Sequence, residues 1–366
     1  MFKKSQIKLI LALLIFFLMP MHIFSLTLES INTPKPPKQK TRDWSKECKT
    51  AYFKKNYPIA LKACKQANKR KHSTYSHYYL ASMYYYSQGV NQNYKKAFSG
   101  YLRAARMGVV SAQNMVGIMY YKARGTSKID INKALYWLKK AAKTDVGANY
   151  TLGQIYAGGT HAPSVLKRND TLSAKYFMIA AKYGHVKSQF RIARCFEEGR
   201  GVKRNMTKAI WWYQKASQKN YTPAQTDLGY LYLNGQGVTK NPKKAFFYYQ
   251  LSANNSDRHG MMSLAYLYEN GFGVLKNLKK AFYWYHKSAN LGEPGAQYPL
   301  AFFYYKGLGT EKDTTKALYW FKKSAKNDVA KSQYYLGKMY VDGEVVNKDV
   351  ALGLKWLVKS ANQANP

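Results

Sequence analysis

Apolar and polar positions along the chain follow a helical period, and one block of that pattern returns almost unchanged. "KALYWLKKAAK", Lys133 to Lys143, recurs as "KALYWFKKSAK", Lys316 to Lys326, nine of eleven residues identical 183 positions on. Stacked copies of one supersecondary unit repeat themselves in this way, whereas a single packed core has no need to. Each copy predicts two helices. In the first, a small residue (Gly117, Gly153, Gly229 and Gly337, or Ala81, Ala193, Ala265 and Ala301) is followed three positions later by Tyr84, Tyr120, Tyr156, Phe196, Tyr232, Tyr268, Tyr304 or Tyr340. The small residue admits a neighbouring helix, and the ring one turn on fills the space beside it.

The second helix is predicted from its start. Four residues before the small residue that opens each copy of the "KA" segment stand Asn93, Asp130, Asp170, Asn205, Asn241, Asn277, Asp313 and Asp349, mostly 36 apart. Asn and Asp side chains accept hydrogen bonds from the free NH groups of a helix start, so this column predicts N-caps. Each second helix closes on a small pair, from Ala104-Ala105 to Ser360-Ala361. Between the helices, pairs such as Gly235 and Gly237 supply positive backbone dihedrals that end one helix and turn the chain. The unit is an antiparallel helical hairpin that buries its apolar faces only against its neighbours. Eight copies occupy residues 76–361, followed by a tail, 362–366, and preceded by a shorter capping hairpin over 44–75. An insertion around "GGTHAPSVLKRND" is expected to protrude from the third copy. Pro299 is expected to delay or bend the first helix of the seventh.

The stretch "AQTDLGYLYLNGQGVTKNPKKAFFYYQLSA", Ala224 to Ala253, resembles the Sel-one-like repeat, a relative of the tetratricopeptide repeat with a longer Gly-containing loop. Small-x-x-aromatic, G-x-G-V, the cap, "KA" and the terminal small pair recur in register over nearly the whole chain beyond residue 75. The third copy, the eighth with "GEVV" and Gly353, and the N-terminal hairpin depart from the pattern. The resemblance implies an all-α, right-handed α-solenoid of about eight hairpins, acting as an adaptor or scaffold, commonly in bacterial envelopes and in bacteria that interact with host cells.

Composition and charge then narrow the setting. The 366 residues carry 59 Lys and Arg against 18 Asp and Glu, a formal charge of +41 that draws anionic partners whatever the fold. The opening "MFKKSQIKLILALLIFFLMPMHIFS" places three lysines before an apolar run and a small residue, the layout of a secretory signal peptide over 1–25. A Pro/Lys-rich linker, 26–43, follows. The expected location is the periplasm or the exterior, with an uncleaved leader anchored in the inner membrane and facing the periplasm as the alternative.

Chemistry-bearing patterns are sparse. The seven His fall in no recurrent column, so no metal site is predicted, and without a Walker loop or a G-x-S-x-G elbow no cofactor is predicted either. Glu197-Glu198 and Asp342/Glu344 sit where loops begin and are expected to be solvated; catalysis is not expected, and a cell-wall enzyme is the weaker alternative. Trp137, Trp212, Trp284, Trp320 and Trp356 share a repeated column with Phe177 and Tyr248, as core filling demands.

One stripe of the first helices varies between copies. Tyr79, Arg191, Arg194, Tyr230, Tyr266, Phe302, Tyr335 and Lys338 stand two before or one after the small residue and share a helix face. In the resembled family first helices line the concave surface, which makes these residues a groove for a protein partner, of types favoured at interface hot spots. The alternative is affinity carried by distributed positive charge for anionic envelope polymers such as lipopolysaccharide or cell-wall polymers; nucleic acid is not the expected partner of an exported chain. In the N-terminal hairpin, Cys48 and Cys64 each lie eight residues from Asn56, the aligned cap, so an antiparallel pair turning there sets them side by side for a disulfide, with Cys195 left as a buried thiol.

Overall fold

The computed structural model describes residues 43–69, 73–159 and 166–364; the leader, the linker up to residue 42 and the tip of the third-copy insertion lie outside them. Among the described residues all regular structure is helical, and no helix is long and apolar enough to cross a membrane. From Trp44 onward the helices form one compact unit. The N-terminal hairpin pairs α1 (Trp44–Phe53) with α2 (Tyr57–Ala67). Eight hairpins follow: α3 (Thr74–Tyr86) with α4 (Tyr94–Arg106), α5 (Val110–Tyr121) with α6 (Ile131–Ala141), α7 (Val146–Tyr156) with α8 (Asp170–Lys182), and α9 (Val186–Glu198) with α10 (Met206–Ser217). The second half continues with α11 (Thr222–Asn234) and α12 (Pro242–Asn254), α13 (Arg258–Asn270) and α14 (Leu278–Asn290), α15 (Pro294–Lys306) and α16 (Thr314–Ala325), then α17 (Ala330–Asp342) and α18 (Val350–Ala364). Each helix packs on its partner and on the next hairpin; α1 with α3, α5 with α7 and α11 with α13 also touch first helix to first helix.

The start of every second helix is fixed twice over. Side-chain oxygens of Asn93, Asp130, Asn169, Asn205, Asn241, Asn277, Asp313 and Asp349 accept from the backbone NH three residues on, at 2.8–2.9 Å. The NH of the same residue donates back to the carbonyl of the aromatic residue near the end of the first helix, from Asn93 to Tyr84 at 3.0 Å through Asp349 to Tyr340 at 2.9 Å. In the third copy the cap is Asn169, not Asp170, which is the first helical residue. The register shifts by one, so Ser173 opens the helix and Phe177 meets Gly153 just as Tyr249 meets Gly229. Phe177 therefore belongs to the fully buried column, and Tyr176 takes the place beside the tryptophans, stacked on Tyr156 as Tyr248 is on Tyr232.

The two loop glycines do different work. Gly235 (φ +71°) ends its helix in the left-handed conformation. Gly237, also at φ +71°, lies against the preceding copy: a Cβ there would come 2.5 Å from Cβ of Met206, the first residue of α10. Gly201, Gly273 and Gly309 rest in the same way on the backbone of Asp170, Pro242 and Leu278. In the eighth copy this position is Val345, held at φ +58°, a strained place for a β-branched side chain. Gly353, where six other copies have Ala and the third has Ser173, is explained by space, since a Cβ would lie 2.6 Å from Cγ2 of Val341.

Two further contacts recur. The Lys of "KA" lies over the first-helix ring in six copies, for example Lys244 Nζ 5.1 Å from the Tyr232 centroid. Buried Gln113, Gln189, Gln225 and Gln333, four residues before the small residue, donate to the last carbonyls of the preceding second helix, tying copy to copy. Pro299 does not delay its helix: α15 runs from Pro294 to Lys306 with Pro299 inside it.

Cys48 and Cys64 are joined across α1 and α2, both fully buried. Cys195 is free and half-buried, and burial, with the nearby carboxylates, pushes its thiol up to about 11. A thiol so placed is inert.

Three substitutions test the hairpin logic by denaturant titration. Asn241→Ala removes a cap and lowers stability by about 1 kcal/mol. Gly237→Val lowers it more, because it adds both strain at positive φ and a clash with the preceding copy. Val345→Gly raises it by about 1 kcal/mol by relieving the same strain. A loss at Val345→Gly would show that the loop is not held in that conformation. Peptide mapping without reductant should find one free thiol per denatured chain, Cys195; the bridge, closing a separation of 16 residues, stabilises the end hairpin by about 3 kcal/mol.

Candidate partner-binding site

The first helices place the expected groove residues unequally. Arg191, Arg194, Tyr230, Tyr266 and Lys338 are exposed on α9, α11, α13 and α17. Tyr79 is not available: it is 5% exposed, its ring packed between Tyr52 and Phe53 of the capping hairpin at 4.9 and 5.6 Å. The column position is the same, but the neighbour that covers it is the hairpin in front of the array. Phe302 and Tyr335 are half-buried and meet each other at 5.7 Å, with Tyr335 stacked on Phe321 at 5.1 Å, so they are packing between the seventh and eighth copies. The open part of the stripe therefore centres on copies four to six.

A polar cluster underlies it. The hydroxyl of Tyr213, a fully buried ring of α10, donates to Glu197 Oε2 at 2.5 Å. Tyr285 of α14 makes the equivalent bond to Glu269 at 2.7 Å, two copies on. Arg194 pairs with Glu198 at 2.7 Å, and Arg200 binds the same carboxylate. Beside them Asp227 of α11 is largely buried; desolvation first, and the charge of Glu197 second, push its carboxyl up to about 6, against the pull of Arg194 and Tyr213. Asp227 stands two residues before Gly229, in the stripe, and was not singled out from the sequence; its column was the available signal.

Next to the cluster lies an apolar cavity of about 250 Å³, lined by Leu233, Tyr249, Met262, Tyr266, Tyr285 and Pro299 among others. Pro299 has a structural use here as one wall. Gly295 forms another, where a Cβ would meet Sδ of Met262 at 2.6 Å. Tyr249 connects the two features, lining the cavity while sensing the charge of Asp227. Copies four to seven thus offer two exposed tyrosines, an apolar recess and carboxylates within a strongly basic chain.

The remaining candidates are structural. Trp137, Trp212 and Trp320 are buried, and Trp284 and Trp356 pack partly buried against the core. Glu344 accepts from Tyr305 and pairs with Lys312. Among the described residues no three His, Cys, Asp or Glu are grouped to hold a metal ion.

Comparison with known proteins matches the Sel1 repeat to residues 74–109, 110–143, 146–185, 186–221, 222–257, 258–293, 294–329 and 330–365. The fold is similar to the crystal structure of c5321, a protective antigen present in uropathogenic Escherichia coli strains displaying an SLR fold, with a TM-score of 0.76 and 31% identity over 83% of this chain and 64% of that one. It is also similar to a Sel1 repeat protein from Oxalobacter formigenes, with a TM-score of 0.58 and 30% identity over 68% of this chain and 96% of that one. In sequence, the chain is 33% identical over 117 residues to chitin synthase regulatory factor 2 of Schizosaccharomyces pombe, spanning 31% of this chain and 23% of that protein's length.

The raised carboxyl of Asp227 sets a pH signature. The folded chain holds its proton up to about pH 6 and the unfolded chain only to about 4, so this group costs stability as pH rises through that window and the full cost stands above it. Asp227→Asn should therefore be about 1–3 kcal/mol more stable than the wild type at pH 7.5, with the difference vanishing below pH 4. A variant less stable at pH 7.5 would mean that Asp227 is held as a favourable ion pair.

Proposed function

Since the chain belongs to the Sel1 repeat family, whose repeats act as protein-interaction scaffolds, we propose that it is a non-catalytic adaptor that takes a partner protein along the first helices of copies four to six. The observation that carries this reading is the pair of exposed rings, Tyr230 and Tyr266: Tyr266 lines the 250 Å³ recess, and Tyr249, which also lines it, has Tyr230 and Asp227 as electrostatic neighbours. Rings that are half open and mounted on rigid helices give up little entropy on docking, and a recess gives an apolar side chain of the partner a place to leave water.

The adaptor works in the bacterial envelope or outside the cell, and one of its roles is contact with a host. The leader-like opening supports export, as does the Cys48–Cys64 bond, which persists in oxidising compartments. Similarity to a protective antigen of uropathogenic Escherichia coli supports the host-contact role, and similarity to chitin synthase regulatory factors supports action through a partner protein.

The test is affinity capture from envelope and host-cell extracts with the chain beyond residue 43, at 0.15 and 0.5 M NaCl. Tyr230→Ala with Tyr266→Ala should leave melting unchanged and weaken binding of the captured protein at least about tenfold. Capture that survives the double substitution but disappears at the higher salt would overturn the groove in favour of charge alone.

A further inference from the structure

Large rings stand exposed at one and the same position of five second helices. Tyr136, Trp211, Phe247, Tyr283 and Tyr319 lie two residues after the small opener of copies two, four, five, six and seven, each 49–59% exposed. Packing does not require them, because the next residue in each copy, a Trp or Tyr, already fills the space against the core. The exposed ring is held edge-on against that neighbour, with centroids 4.5–5.3 Å apart and planes at 71–84°. One turn on, Lys140, Lys215, Lys287 and Lys323 lie within 5.9 Å of the centroid of one or both rings. None of these lysines pairs with a carboxylate among the described residues.

We propose that this ladder of rings and ammonium groups is a second binding face, one that takes a linear polysaccharide bearing carboxylates. The C–H faces of the sugars stack on Tyr136, Trp211, Phe247, Tyr283 and Tyr319, and the lysines take the carboxylates. The partner must be anionic because each free charge beside a ring is positive. It must be extended and repeating because the platforms repeat with the copies, so that weak contacts add through effective concentration. A bilayer surface fits less well: Lys139-Lys140, Gln214-Lys215, His286-Lys287 and Lys322-Lys323 separate the rings, leaving no continuous apolar strip to sink among acyl chains. Nucleic acid fits less well because phosphate recognition favours the arginine fork, and α6, α10, α12, α14 and α16 contain no Arg. The face lies on the second helices and does not depend on the first-helix groove.

The experiment uses the chain beyond residue 43 with hyaluronan oligosaccharides as probe, and neutral dextran, oligo-dT and phosphatidylglycerol vesicles as comparators, at 0.05–0.3 M NaCl. The wild type should bind hyaluronan and not dextran. Replacing all five rings by Ala should weaken hyaluronan binding at least about tenfold while leaving melting and the slope of log affinity against log salt unchanged. Converting Lys140, Lys215, Lys287 and Lys323 to Gln should flatten that slope instead. Trp211→Ala alone, a single change, should give about a twofold to threefold loss, so the idea stays testable if the fivefold variant unfolds. Undiminished hyaluronan binding by the ring variants would overturn the proposal, and so would an equal or larger loss toward oligo-dT or vesicles.

Discussion

A glycine that must touch the copy before it is the constraint on which the array depends. At Gly201, Gly237, Gly273 and Gly309 the loop backbone lies so near the start of the preceding second helix that a methyl group has no room. That contact sets the distance between copies. Given the distance, the cap residue can reach back to the first-helix carbonyl, the KA lysine can settle over the aromatic ring, and the buried Gln can reach the last carbonyls of the helix behind. Intrahelical hydrogen bonds form in any helix; the spacing of helices comes from what the loops and small residues allow.

Much of this was legible because repetition averages out local noise. Eight Asn or Asp residues in one column specify helix starts better than any single cap could. The misplaced cap of the third copy arose from aligning on Ala174 rather than on the small pair Ala180-Ala181, which stands seven and eight residues after the opener in the other copies and would have selected Ser173. Column logic failed for Tyr79 for a different reason: a position's exposure depends on what precedes the array, and the capping hairpin is not a copy of the repeat. Phe302 and Tyr335 share the chemistry of Tyr230 and Tyr266, but Phe302 meets a ring, Tyr335, two before the small residue of the next copy, where Tyr230 and Tyr266 have Ser263 and Pro299 at the same place. Exposed rings such as Trp211 stand directly beside buried ones such as Trp212. Residue type cannot separate two adjacent aromatics, but 100° of helical rotation does.

The carboxylates, scarce beside 59 Lys and Arg, have particular places in the fold. Six of the 18 carboxylates, Asp130, Asp145, Asp257, Glu293, Asp313 and Asp349, are engaged at helix starts, where their oxygens accept backbone NH groups. Four others, Glu197, Glu198, Asp227 and Glu269, stand on the first helices of copies four to six. Positive charge is spread over the chain, so an incoming molecule meets a long-range attraction for anions, against which these four carboxylates set a local patch of opposite sign.

The two ends of the array are secured differently. At the N-terminal end a covalent cross-link joins α1 to α2; at the other, the last loop carries Val345 in a conformation that suits glycine. In a quasi-one-dimensional array the free energy of local opening is set copy by copy, so strain at one end makes that end the breathing end. Amide exchange should therefore be faster in α17 and α18, which flank Val345, than in α1 and α2, which the cross-link holds closed.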